Sequence, residues 1–259
     1  MDRPTEQRRL ANLLHRSPDT LGYLDALDAA RLMQLRRLLQ EALIERFAGT
    51  FKRLASGGRL IPDALNARLC TGLFGPELTA NLSYFTPIEQ AVRLAKHFDD
   101  DFLTDTARHQ VPERAQALLA ALPVEIMRGV TRKLLAAKEF AIMGGFTDYL
   151  PEDKAVVLIN EIHRPIDRLK VSSFAQRKDR VANILARLDD KAVTAQITSA
   201  TDKPDLLREV ALTIAEMAEE QQQRMARLCD AADIHLRNSL KKLVGTSALV
   251  ERLAAFFDA

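Results

Sequence analysis

The feature that most constrains this chain is a short apolar stripe that comes back. Ala91 to Phe98, Ala115 to Leu122, Ala155 to Ile162 and Val181 to Leu188 align with offsets of 24, 40 and 26 residues. Within each, apolar residues recur at steps of three and four, the signature of one face of a helix. A helix of two or three turns cannot bury such a face by itself. Recurrence at a near-constant period therefore predicts helix pairs stacked on one another.

The helix starts support the alignment. Pro87 precedes Glu89, Pro112 precedes Glu113, and Pro151 precedes Glu152 and Asp153. Proline at a helix start loses no hydrogen bond, and carboxylates in the first turn meet the positive end of the helix dipole. The fourth copy opens on Gln176 to Arg180 without proline. Polar breaks follow each stripe at Asp99 to Asp101, Pro123, Arg164-Pro165 and Asp189-Asp190. The offset of 40 reads as one period plus an insertion between Leu134 and Tyr149. There Gly144 or Gly145 is expected to end a helix.

Composition points the same way. Tryptophan is absent, aromatics make up 5% of the 259 residues, and glycine and proline number ten each, which with abundant Leu, Ala, Arg and Glu is an all-α composition. The best strand candidate, Val193 to Ala200, also fits the end of a helix. Three stretches follow, expected to form one compact unit. Residues 1–60 are an N-terminal helical cap, with a short helix from Pro4 to His15, a turn at Ser17 to Asp19 and a long helix from Asp25 to Ala55, ended by Ser56-Gly57-Gly58. Its stripe comprises Leu32, Leu35, Leu39, Leu43, Phe47, Phe51 and Leu54. Residues 61–203 hold the helix pairs. Residues 204–259 are read as one long helix from Pro204 to about Val244, then a tail helix from Ser247 to Phe257.

Charge and cysteine usage exclude several functions. A formal charge of +2 offers no basic surplus of the kind a nucleic-acid binder carries, and none is expected as a partner. Arg31, Arg36, Arg37, Arg46, Lys52 and Arg53 on the long helix are interleaved with Glu41 and Glu45, with Arg37 and Glu41 spaced as an ion pair. That is a solvated face, not a membrane-binding one. The start, MDRPTEQRRLANLLHR, has no signal-like apolar core, and no stretch is long and apolar enough for membrane insertion. Cys70 and Cys229 read as buried thiols, so the expected location is cytoplasmic.

No catalytic or cofactor motif is present. His15, His97, His109, His163 and His235 form no H-x-x-x-H pair. Asp99, Asp100, Asp101 and Asp105 are weak candidates for a magnesium or calcium site. Their simpler reading is a turn whose acids cap the next helix. The apolar seam Leu207, Val210, Ile214, Met217, Met225, Leu228, Ala232 and Leu236 could pack on its own chain or join two chains as a homo-oligomer through the C-terminal helix.

The copies Val111 to Pro123 and Leu150 to Ile162 resemble the repeats of the intracellular N domain of MgtE-type magnesium transporters, and related right-handed helical arrays occur in the motor-switch protein FliG. The resemblance covers about Thr86 to Ala200. It implies a right-handed superhelix of roughly 25-residue helix pairs that docks onto or moves against another protein module. It does not imply transport, because the sequence has no membrane region and no paired nucleotide-binding module, and no magnesium-sensing acids match. The function expected from the sequence is a non-enzymatic helical-repeat protein with a protein partner. The alternatives are a divalent-cation sensor, and a small-molecule binder or enzyme with a pocket assembled by the fold.

Overall fold

A computed structural model describes residues 3–14, 16–232, 236–245 and 249–258. Among them the fold is all-α, with no strand. The N-terminal part holds α1 (Arg3–Leu13), a 3-10 helix (Pro18–Leu24) and α2 (Ala29–Gly58). Six helix pairs follow: α3 (Asp63–Leu69) with α4 (Gly75–Ser83), α5 (Ile88–Ala95) with α6 (Asp100–His109), α7 (Pro112–Ala121) with α8 (Val124–Ala136), α10 (Glu152–Ile159) with α11 (Pro165–Phe174), α12 (Lys178–Ala186) with α13 (Asp190–Thr198), and α14 (Pro204–Ile214) with α15 (Glu219–Ala232). An extra helix, α9 (Phe140–Thr147), lies between the third and fourth pairs, and α16 (Leu236–Val244), α17 (Leu249–Arg252) and α18 (Ala254–Phe257) complete the chain.

The first helices of the pairs start at steps of 25, 24, 40, 26 and 26 residues. The register is common to all six. The N–H groups of Asn66, Ala91, Ala115, Ala155, Val181 and Leu207 donate to the carbonyls of Pro62, Pro87, Val111, Pro151, Arg177 and Lys203, and all six residues are buried. Contacts between alternate helices make two rows. One runs α3–α5–α7 and resumes as α10–α12–α14–α16, while the other runs α4–α6–α8 and continues through α9–α11–α13–α15–α18. Between α7 and α10 the first row is joined by Lys154, whose Nζ donates to the carbonyls of Leu119, Ala120 and Leu122 at 3.2, 2.6 and 2.6 Å.

Three expectations are corrected. The 204–244 segment is not one helix, because it turns at Ala215–Ala218, with no glycine or proline to break it. Met217 is buried there, and Gln222 Nε2 donates to its carbonyl at 3.1 Å and to that of Arg252 at 2.9 Å. Tertiary burial overrides helix propensity, so α14 and α15 fold back as a sixth pair. Of the seam, Leu207, Val210, Ile214, Met217, Met225 and Leu236 are buried in the chain's own core and Leu228 packs against it. The expected tail helix begins outside the described residues, at Ser247, and its described part forms the two short helices α17 and α18.

The second correction concerns α2. It starts at Ala29, after Asp28 accepts from the N–H of Arg31 at 2.8 Å, and runs through Ser56-Gly57 to Gly58 instead of stopping at Ala55. The expected turn at Ser17 to Asp19 becomes the start of the 3-10 helix. Of the α2 stripe, Leu32 packs with Leu10, Ala11 and Leu21 in a small separate core, and Phe51 stacks on Phe85 at 5.7 Å between centroids. Leu43, Phe47 and Leu54 are exposed. Arg37 pairs with Glu113 at 2.9 Å and with Gln176 at 3.1 Å, not with Glu41, and so ties α2 across the stack.

The third concerns Gly144, which lies inside α9. A Cβ there would come within 2.6 Å of the Val171 carbonyl oxygen, 2.7 Å of Phe174 Cβ and 2.9 Å of Ala175 N. The glycine permits close approach of α9 to α11, and α8 ends at Ala136, followed by Lys138 with a left-handed φ of 57°. Gly144→Ala should therefore lower stability by about 1–3 kcal/mol through overpacking against backbone. In contrast, Gly145→Ala, whose Cβ would meet only Pro112 Cγ at 3.7 Å, should be neutral or gain up to about 1 kcal/mol of helix propensity. Thermal melting of the two variants checks the contrast.

Candidate functional site

The two rows do not close on each other completely. Between them lies an elongated cavity of about 230 Å3, partly open to solvent, lined from the end of α2 through α3 to α13. Its width follows from side-chain size. Positions that face inward carry Ala91, Ala95, Ala107, Ala155, Thr131 and Thr147, which leave volume that leucine or phenylalanine would fill. Leu118, Met127, Leu134, Phe146, Leu158 and Ile184 supply most of the remaining wall.

Polar groups stand at both ends, and Ser83, Thr86, Thr106, Gln110, Thr131 and Thr147 also line the wall. At the α2 end, Asn66 Nδ2 and Gln90 Nε2 both donate to the Gly58 carbonyl at 3.1 and 3.0 Å, so these amides hold α2 in place. Thr79 and Cys70 face each other nearby, and burial raises the Cys70 thiol above its ordinary pKa. At the other end are Arg168 and Ser172, one turn apart on α11, and Gln196 on the neighbouring α13. Gln196 is 2% exposed, and its Oε1 has no hydrogen-bond partner. Arg168 is the one charged side chain among the described residues lining the cavity.

Two tyrosines latch the wall from outside. Tyr84 and Tyr149 both pack against the cluster of Ala115, Leu119, Met127, Phe146 and Leu158. The Tyr84 hydroxyl accepts from the Val111 N–H at 2.6 Å, fixing the turn before α7, and the Tyr149 hydroxyl donates to Glu113. Burial pushes Tyr84 up to about 12, and burial together with the Glu113 carboxylate does the same to Tyr149.

The acids singled out in the sequence do other work. Asp99 caps α6 by accepting from the Phe102 N–H at 2.7 Å, Asp101 pairs with Lys133 at 2.6 Å, and Asp105 pairs with Arg108. The Asp100 carboxylate lies against Gly129, where a Cβ would meet its Oδ1 at 2.3 Å. No group of three or more His, Cys, Asp or Glu side chains suited to a metal occurs among the described residues. His97, His109 and His163 belong to no such group, and His15 and His235 lie outside the described residues. Cys70 and Cys229 are buried free thiols. Among the described residues, no helix is long and apolar enough to cross a membrane.

Sequence reasoning kept a pocket assembled by the fold as an alternative but neither located the cavity nor singled out Arg168. Nothing local separates Arg168 from its neighbour Arg164; only the packing of α11 turns one inward. No known protein family, curated protein or solved structure matches the chain.

Two outcomes follow. Between pH 10 and about 12 the unfolded chain loses the Tyr84 and Tyr149 protons while the folded chain keeps them, so stability should fall as pH rises through that window. Melting curves across it should show a smaller decline in a Tyr84→Phe, Tyr149→Phe double variant. Millimolar magnesium should leave the melting temperature unchanged, since a cation held only by the folded state would raise it.

Proposed function

We propose that this chain binds an elongated apolar molecule in the cavity between its helix rows. The observation that carries the reading is the cavity itself, walled by side chains from α2 to α13 that are apolar over most of its length. Concave, mostly apolar sites with a few placed polar groups are the common form of small-molecule sites. The energy scale supports occupancy. At roughly 24 cal/mol per Å3, an apolar occupant that fills a cavity of about 230 Å3 recovers up to about 5.5 kcal/mol. That is a large share of the roughly 5–15 kcal/mol by which a domain is stable.

Titration with N-phenylnaphthylamine, a neutral apolar fluorophore, tests the proposal. Saturable enhancement of its fluorescence, with a rise in melting temperature, is expected for the full chain. Ala91→Leu and Ala155→Leu, which put bulk into the cavity, should each reduce binding severalfold while circular dichroism stays helical. Leu38→Gln, on an exposed site of α2 outside the cavity, should not. Absence of saturable binding to the full chain would defeat the reading.

A second reading, docking of a protein partner, draws on a different observation. Leu43, Phe47 and Leu54 are 42%, 47% and 40% exposed on α2, and exposed apolar surface of this kind serves contacts between proteins. A Leu43→Ser, Phe47→Ser variant should keep its melting temperature and lose any stoichiometric partner that the unaltered chain retains from native lysate.

A further inference from the structure

The apolar middle of the cavity and its single charge together specify more than an apolar guest. We propose that the occupant is a single-chain amphiphile with a carboxylate head, of the fatty-acid class, seated with its head on Arg168 and its tail along the cavity toward α5. The inference rests on the binding role proposed above.

The head-group end is defined by what Arg168 does and does not touch. Its Nε donates to the Ile162 carbonyl at 2.7 Å, which fixes the guanidinium plane at the end of α10. It forms no ion pair among the described residues. The acid whose field reaches it, Asp189, is engaged at the start of α13, where its Oδ1 accepts from the Ala192 N–H at 2.7 Å. The acid beside Arg168 on α11, Asp167, is buried and lies 3.7 Å from Arg164 and 3.9 Å from Lys170. No Asp or Glu lines the cavity among the described residues. Burial lowers the pKa of Arg168 and the field of Asp189 opposes that, and a guanidinium keeps its charge in proteins. Its terminal nitrogens form a fork that suits a carboxylate.

Two further groups stand at the same end. Ser172 lies one turn further along the face that bears Arg168, and the buried Gln196 carboxamide has an oxygen without a partner. The Gln196 oxygen is an acceptor and gains nothing from an ionised carboxylate, so the head group is assigned to Arg168 alone. A single guanidinium with no second cation in the wall matches a monoanion better than a phosphate. Beyond these groups Val171, Ile184, Ile159, Leu134 and Met127 make a mostly apolar wall, with Thr131 and Thr147 also in the lining, which suits one extended chain.

The test compares cis-parinaric acid, a fluorescent polyene fatty acid, with its neutral methyl ester on the full-length protein. The acid should bind at least about tenfold more tightly than the ester, the worth of a charge-assisted hydrogen bond. Arg168→Met should remove that preference by weakening the acid alone, and Arg168→Lys should restore part of it. Equal affinities for acid and ester, in a chain that also binds N-phenylnaphthylamine, would overturn the head-group assignment while leaving the cavity reading standing. Failure of all three probes would overturn both. Should Arg168→Met not fold, the acid-to-ester ratio in the unaltered chain and in Arg168→Lys decides the matter.

Discussion

A chain cut into helices of mostly eight to eleven residues leaves an unusual share of its carbonyls without intrahelical partners, since each helix end strands up to four. How those ends are satisfied organises the rest of this molecule. Basic side chains from one helix pair reach back to the carbonyl end of an earlier one. Lys154 covers the end of α7, Arg180 donates to the Leu150 carbonyl, Arg224 donates to Ala186 and Leu188 at 3.1 and 2.7 Å, and Arg252 reaches Ala215 and Glu216. A cation at a helix C-terminus also meets the negative end of the dipole. These side chains therefore join the pairs along a row as well as finishing each helix.

Joining along the rows leaves the distance between rows to side-chain volume. Toward the C-terminus, Ile214, Met225, Leu236, Leu253 and Phe256 fill the interior in the largest core cluster. In the middle pairs, Ala91, Ala107, Ala155 and Thr147 leave the cavity. The extra helix α9 contributes to it, because Gly144 lets α9 lie against α11 while Met143, Phe146 and Thr147 face the cavity. The insertion that interrupts the period thus becomes part of the wall instead of a loop.

Individual helices were legible where a stripe follows an acid in the first turn, with proline ahead of three of them. α5, α7, α10 and α12 all fall on the aligned octapeptides. The first pair, α3 with α4, carries Asn66 where the others carry an apolar residue, and so escaped the alignment. The last, α14 with α15, was hidden because Ala215 to Ala218 has no breaker and the seam continues through it. The long α2 stripe misled in the opposite sense, since helical spacing shows that residues share a face but not that another element covers it. Leu43 and Phe47 have the right spacing and remain exposed.

The sequence by itself determined that the chain is helical, where several helices begin, and which residues share a helix face, because local periodicity and capping chemistry are properties of neighbouring residues. It also placed Asp99 correctly at a helix N-terminus. Only the tertiary structure decided that Arg168 rather than Arg164 lines a cavity, that Gly144 lies within a helix, and that the rows stand apart in the middle and close at the C-terminal end. Those outcomes depend on summed side-chain volumes and on contacts between residues tens of positions apart, such as Lys154 with Leu122 and Arg37 with Glu113, which no local pattern records.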